Sequence, residues 1–356
     1  MFLQLLKSQV NWQSLGLGIL TLLPFMIGYF IFHNHLFFNV GLVAISLFIP
    51  MARNNTSIFI IVLQFLLIVL CFNLLFFAFF KPVIFVILCA LMAFCTIYFT
   101  KHGSGFRTIA NFIFIPAVYL TCELQGQSQS EAHLMTVYTH FMFLMPEAFL
   151  ITLVIFFGKT LLVQRTYPCN NKNDNGIKNL YKQLLTKFSK DFEVGKAEIN
   201  WVKPAIAIFA GVLIAAGLII YFQISEGEWV IWSTAAVITN DLNRSRKKAG
   251  ERLIGLFIGI PLGLLVGPFL GKDIVFYSLA TFGVMLTLVA FKQYWMAFSS
   301  RCFLITLASY IASPTSQIAL ERLENVILGG IIGMATLYIA HFCLGRFTNQ
   351  QSLKTI

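Results

Sequence analysis

The stretch from Trp229 to Gly271 gathers the residues best suited to act on a charged solute. Asp241, Arg244, Arg246, Lys247, Lys248 and Arg252 follow one another closely at the end of an apolar run. Clustered Lys and Arg concentrate anions through their summed field. A basic run is also what retains one end of a membrane span in the cytoplasm. Asn240 and Asp241 fall at the inner end of an unusually short apolar segment, where unwound backbone and polar side chains can line a cavity. A second constellation is Glu147, preceded on the same helical face by His140 and His133. Ionisable groups in such a row can pass protons across an apolar layer. The alternatives are solvated histidines and a Glu held by neighbouring backbone. Arg301 could grip a carboxylate with its planar fork or snorkel to the headgroups.

These residues sit in a chain that cannot be water-soluble. Of its 356 residues 58% are hydrophobic, 38 are Phe and only 11% are charged, against roughly 25% charged in globular proteins. Seven cysteines form no CxxC pair and read as small hydrophobes. The sequence shows no Walker loop, dinucleotide glycine motif or metal-spaced His/Cys set. No enzyme activity, cofactor, metal or nucleic-acid partner is therefore expected, and the lipid bilayer is the primary one.

Runs long enough to cross the hydrocarbon layer number about twelve. They lie near 15–32, 36–52, 57–77, 82–100, 106–121 and 135–163, then 204–222, 229–243, 252–270, 274–291, 294–312 and 323–344. The first is expected to stay in place, since no small-residue cleavage site follows it. With both termini cytoplasmic, Lys81, Lys272 and Arg322 alone among 25 Lys and Arg fall away from the cytoplasmic side, which satisfies the positive-inside rule. Trp229 and Trp232 then fall at the outer interface, where indole rings anchor.

The spans divide into an N-terminal half (1–163) and a C-terminal half (204–345), with a linker (164–203) between them and a tail (346–356) after. Within the linker Ile177, Leu180, Tyr181, Leu184, Leu185, Phe188 and Phe192 recur at helical spacing among lysines, predicting a basic amphipathic helix. An ungapped shift pairs Arg53 with Arg244, Lys81 with Lys272, Lys101 with Lys292 and Tyr119 with Tyr310. Two parallel six-helix repeats follow, with a pathway expected where they meet. Gly255, Gly259, Gly263, Gly267 and Gly271 recur at every fourth residue, and Gly329 and Gly333 repeat the spacing. Such a bare face lets another helix approach closely.

Trp229, then Arg252–Leu253–Ile254–Gly255 with Gly259, then Tyr294–Trp295, then Arg322 with Gly329 and Gly333, together resemble the signature of the fusaric-acid-resistance (aromatic acid exporter) membrane proteins. The resemblance covers about 200–345; in the first half Ile61, Gln64 and Ile68 stand in the places of Arg252, Gly255 and Gly259. It implies bacterial inner-membrane efflux of aromatic or other organic acids, often with a periplasmic adaptor (membrane-fusion) protein. Related plant proteins are anion channels. The expectation is an all-α polytopic exporter of a small organic anion, able to form a homo-oligomer. In it the basic mouth and Arg301 would handle the anion, while Glu147 and His140 would couple protons. A passive anion channel and a non-transporting scaffold stay open beside it.

Overall fold

The computed structural model describes residues 9–54, 57–102, 104–126, 130–166, 201–313 and 315–353. Among them every regular element is helical, apart from an isolated antiparallel bridge between Val10 and Phe291. The helices are α1 (Trp12–Phe32), α2 (Leu36–Asn54), α3 (Ile58–Phe79), α4 (Pro82–Tyr98), α5 (Ser104–Gly126) and α6 (Glu131–Thr166). After the linker come α7 (Val202–Phe222), α8 (Glu228–Val237), α9 (Leu242–Leu270), α10 (Ile274–Ala290), α11 (Tyr294–Ala312) and α12 (Gln317–Leu353). A short 3₁₀ turn, Phe99–His102, precedes α5. The amphipathic helix expected in the linker lies outside the described residues.

Local sequence sets these limits. Asn11 caps α1 by accepting from the Ser14 N–H at 3.2 Å. Pro82 opens α4, where its missing N–H costs nothing. Gly271, at φ 63°, ends α9 in a conformation that side chains disfavour. Prolines lie inside several helices, among them Pro146 in α6 and Pro261 and Pro268 in α9, and each helix runs through them.

Nine of the described helices are long and apolar enough to cross a membrane, and Leu36–Ala52 and Ile274–Ala290 are shorter apolar ones. Large apolar side chains point away from the chain, as at Phe143 (81% exposed) and Phe269 (87%), an arrangement that only lipid tolerates on this scale. The protein is a multi-pass membrane protein. One expected boundary needs correction. The short span near 229–243 is a ten-residue helix, α8, and the basic residues 244–248 are not a loop but the first turns of α9. The tail is helical as far as Leu353, continuous with α12.

Contacts group the chain into two compact units that cut across the sequence halves. One holds residues 1–70, 102–196 and 285–292; the other holds 71–101, 197–284 and 293–356. In the first, α2 is buried on every side from Phe38 to Met51, as a central helix must be. Gln64 on α3 donates to the Ser46 and Phe112 carbonyls at 2.9 and 3.4 Å, tying α3 to α2 and α5. Thr152 and Lys159 of α6 donate to the α2 carbonyls of Ala44 and Met51. The end of α10 also belongs here, its Leu286 and Val289 lying against Gly18 of α1.

The second unit is built on close helix approach. A Cβ on Gly255 would lie 2.7 Å from Phe298 Cδ1, and one on Gly263 2.7 Å from Thr306 Cβ. One on Gly267 would lie 2.7 Å from Tyr310 Cδ1, and one on Gly259 would run into the Ser299 carbonyl. Each four-residue step along α9 is thus matched by a similar step along α11. Gly329 and Gly333 of α12 sit in the same way against the α8 backbone at Val230 and Thr234. Ser233 and Thr234 fasten that contact by donating to the Val326 and Gly329 carbonyls at 2.7 and 3.0 Å. The α4 helix joins this unit against α7, where Tyr98 meets Trp201 edge-on at 5.2 Å.

Overpacking of this kind costs about 1–3 kcal/mol. Gly259→Ala is expected to lower the thermal stability of the purified protein by that amount. Gly217→Ala, where nothing lies within 4 Å of the new Cβ, should leave it unchanged. Equal melting curves for the two variants would refute the close α9–α11 contact.

Candidate functional site

The candidate site begins where α8 stops. Ile238 is extended (φ −69°, ψ 118°), and four residues, Ile238 to Asp241, run without helix before α9 starts at Leu242. The freed polar groups are satisfied locally. The Thr239 N–H donates to Ser245 Oγ at 2.9 Å, the two hydroxyls lie 2.8 Å apart, and Thr239 Oγ1 also donates to the Asp241 carbonyl. Asp241 caps α9, accepting from the Asn243 N–H at 3.3 Å. Asn240 reaches Thr100 Oγ1 at 3.4 Å. The break is therefore a built turn rather than a frayed end.

Four cations follow at the positive end of the α9 dipole, where helix electrostatics disfavours them. Two are docked. Arg246 bonds the Tyr338 hydroxyl and lies over that ring at 5.1 Å, while Lys248 lies over Tyr294 at 5.3 Å. Arg244 and Lys247 are exposed, as is the Asp241 side chain. Four residues beyond Lys248, Arg252 is only 6% exposed. It donates from Nη1 to the Tyr294 hydroxyl at 2.9 Å and lies 4.3 Å from the Phe298 ring centre. Among the described residues its Nε–H has no hydrogen-bond partner. Arg301, two turns into α11, is half-buried.

The start of α8, in the same unit, differs from expectation. Trp229 is buried at 9% exposure, not lipid-facing as a headgroup anchor would be. It stacks on Trp232 at 4.8 Å and carries the Arg322 guanidinium 3.5 Å from its ring centre. Its Nε1–H donates to Glu226 at 3.2 Å. Asn325 donates to the Ser225 and Glu226 carbonyls, closing the turn between α7 and α8. Arg322, itself 4% exposed, is a buried cation absent from the site residues drawn from sequence. So are Tyr294 and Phe298, the aromatic partners of Arg252. A basic residue facing aromatic residues four apart at the start of the next-but-one helix was the available signal.

Glu147, His140 and His133 do share one face of α6, in the other unit, but that face is exposed. The side of α6 packed into its unit carries Leu134, Phe141, Met145, Ala148 and Thr152 instead. Among the described residues no three His, Cys, Asp or Glu side chains are grouped to hold a metal ion.

No curated protein and no solved structure matches this chain. Residues 205–336 match the family model described as fusaric acid resistance protein-like. The matched stretch holds α8, the break, the basic turns, the glycine ladder and both buried arginines. Over these residues the chain is similar to the fusaric acid resistance protein-like family.

Proposed function

We propose that this protein is an efflux transporter of the bacterial cytoplasmic membrane that exports small organic acids as anions, coupled to protons. The observation that carries the reading is the break between α8 and α9 inside the family-matched stretch. Discontinuous helices near a bundle's interior mark the solute sites of transporters, because irregular backbone is tolerated there only where it lines a cavity. The exposed Arg244 and Lys247 supply the collecting field, with Arg246, Lys248, Arg252 and Arg301 further along. Glu147 and His140 are the coupling groups of this reading, and a periplasmic adaptor receives the cargo.

The helix limits support the arrangement that goes with it, two parallel six-helix repeats with cytoplasmic termini. Helix α1 begins at Trp12 and α7 at Val202, α4 spans Pro82–Tyr98 and α10 Ile274–Ala290, and α6 begins at Glu131 and α12 at Gln317. A passive anion channel is the second reading. It is favoured by the exposed position of Glu147, which belongs to the other compact unit from the basic mouth.

Reconstituted vesicles separate the readings. An imposed pH gradient should drive benzoate flux above that of protein-free vesicles, and Arg244→Ala with Lys247→Ala should reduce it several-fold. Glu147→Gln should abolish the response to the gradient. Flux indifferent to the gradient in the wild type establishes the channel, and no flux at all establishes a scaffold.

The break itself is testable through Ser245→Ala. That change strands the buried Thr239 N–H, at a cost of about 1–3 kcal/mol. It should lower both thermal stability and flux, whereas Ser245→Thr, which keeps the hydroxyl, should retain more of each. Full flux in Ser245→Ala would remove the break from the mechanism.

A further inference from the structure

Helix α6 carries a face that its own unit leaves open. On the side opposite Phe141, Met145, Ala148 and Thr152, the residues His133, His140, Glu147 and Val154 follow one another at seven-residue intervals, and all are exposed. Thr136, Phe143, Leu150 and Phe157 fall three residues after each, and these are exposed too. Alternate steps of three and four are the seam spacing of two helices wound around each other. From His133 to Phe157 the seam is about 36 Å long at 1.5 Å per residue, enough to cross the whole hydrocarbon layer.

Two properties set this seam apart from a surface made for lipid. The outward side of α3 shows what lipid takes: Phe59, Leu63, Leu66, Leu70, Leu74 and Phe77 are exposed there, and all are apolar. The α6 seam instead carries a carboxyl group and two imidazoles. Glu147 lies about 24 Å along the helix from Glu131 and about 18 Å from Lys159, near the middle of the apolar stretch 131–159. Ionisable groups at that depth are costly against lipid and face other helices or a water-filled path. The second property is self-complementarity. A neutral imidazole has one N–H and one accepting nitrogen, and two carboxyl groups can hold one proton between them. Such residues pair with their own kind, which two lysines or two arginines cannot do.

We propose that this seam is the interface between two copies of the chain. Copies inserted with the same sidedness are related by a two-fold axis along the membrane normal, which sets the two α6 helices parallel and each seam residue against its counterpart. Glu147 then meets Glu147 and His140 meets His140, with Phe143 and Leu150 packed beside them as in other membrane helix pairs. The polar layers also fix register: a slip of one heptad would set one Glu147 against His140 and the other against Val154. In a single chain the same seam meets lipid. The pairing stands independently of the transport reading. Where both hold, the coupling groups of that reading lie between copies and are incomplete in one chain.

The test is counting of photobleaching steps on the full chain, carrying one fluorophore, in phosphatidylcholine vesicles over a range of protein-to-lipid ratios. Two-step bleaching that persists at low density is expected. Glu147→Leu should weaken pairing about tenfold, with the melting curve unchanged because the side chain is exposed. Glu147→Gln, whose amide both donates and accepts, should retain most of it. Under oxidation Leu150→Cys should give a covalent dimer above the wild-type background. Leu66→Cys, on the outward side of α3 at nearly equal exposure (57% against 58%), should not. Single-step bleaching at every density would overturn the proposal and leave the seam to lipid. So would undiminished pairing in Glu147→Leu, or equal cross-linking of the two cysteine variants, either of which would put the interface elsewhere. Gradient-driven flux from single-step particles would sink this interface and leave the transport reading standing, and dimers without flux would do the reverse.

Discussion

The approach of α9 to α11 is the constraint from which the C-terminal unit takes its form. Four glycines remove the side chains that would hold two helices apart, and the Ser299 carbonyl fills the place a Cβ on Gly259 would need. In lipid there is no hydrophobic drive to bring helices together, so contact at backbone distance is the principal source of association. It also fixes register. With Gly255 against Phe298, the residue three before it, Arg252, is carried to Tyr294 and Phe298 and buried there. The buried cation is thus a consequence of the ladder: loosen the ladder, and Arg252 regains the freedom to snorkel.

The second contact, α8 against α12, follows the same physics with a different result. Here the glycines lie on α12, and the partner is a helix of ten residues that stops in mid-unit. A helix this short gains little from its own hydrogen bonds, since nucleation is costly. Its place is secured by Ser233 and Thr234, which donate to α12 carbonyls, and by Arg322 on the Trp229 ring. Because α12 holds α8 from the side, the chain after Val237 is free to leave helical geometry. The Thr239–Ser245 pair then restarts it as α9.

Much of this was legible in the sequence. The apolar runs marked the helices because lipid forces backbone groups to pair within a segment. The four-residue glycine spacing marked the close face of α9, and the short run after Trp229 marked the break. What sequence could not show were relations across the bundle. Trp229 reads as an interface residue from its place at the start of a span, and only the fold puts Arg322 over its ring and buries it. Tyr294 and Phe298 carry no charge and so drew no notice as partners of a cation. Glu147 is apolar-flanked, which suggests burial, yet it turns outward because Phe141, Met145 and Ala148 claim the inner face of α6. The compact units also escape sequence reading: residues 71–101 join the C-terminal unit and 285–292 the N-terminal one.

The two halves, similar in helix limits, differ where chemistry would occur. At the positions matching Arg252, Gly255 and Gly259 the first half has Ile61, Gln64 and Ile68, all buried. Gln64 binds α3 to two neighbours through carbonyls, which seals its unit by hydrogen bonding where the other is sealed by bare backbone. The phenylalanines divide in a parallel way, some filling the interior, as Phe48, Phe72 and Phe141 do, and others such as Phe143, Phe257 and Phe269 meeting lipid. In the first unit the Lys159 ammonium is tied to the Met51 carbonyl, whereas the second unit buries the Arg252 guanidinium between aromatic rings. The stretch that matches the family model, 205–336, contains both the glycine ladder of α9 and the buried Arg252 and Arg322.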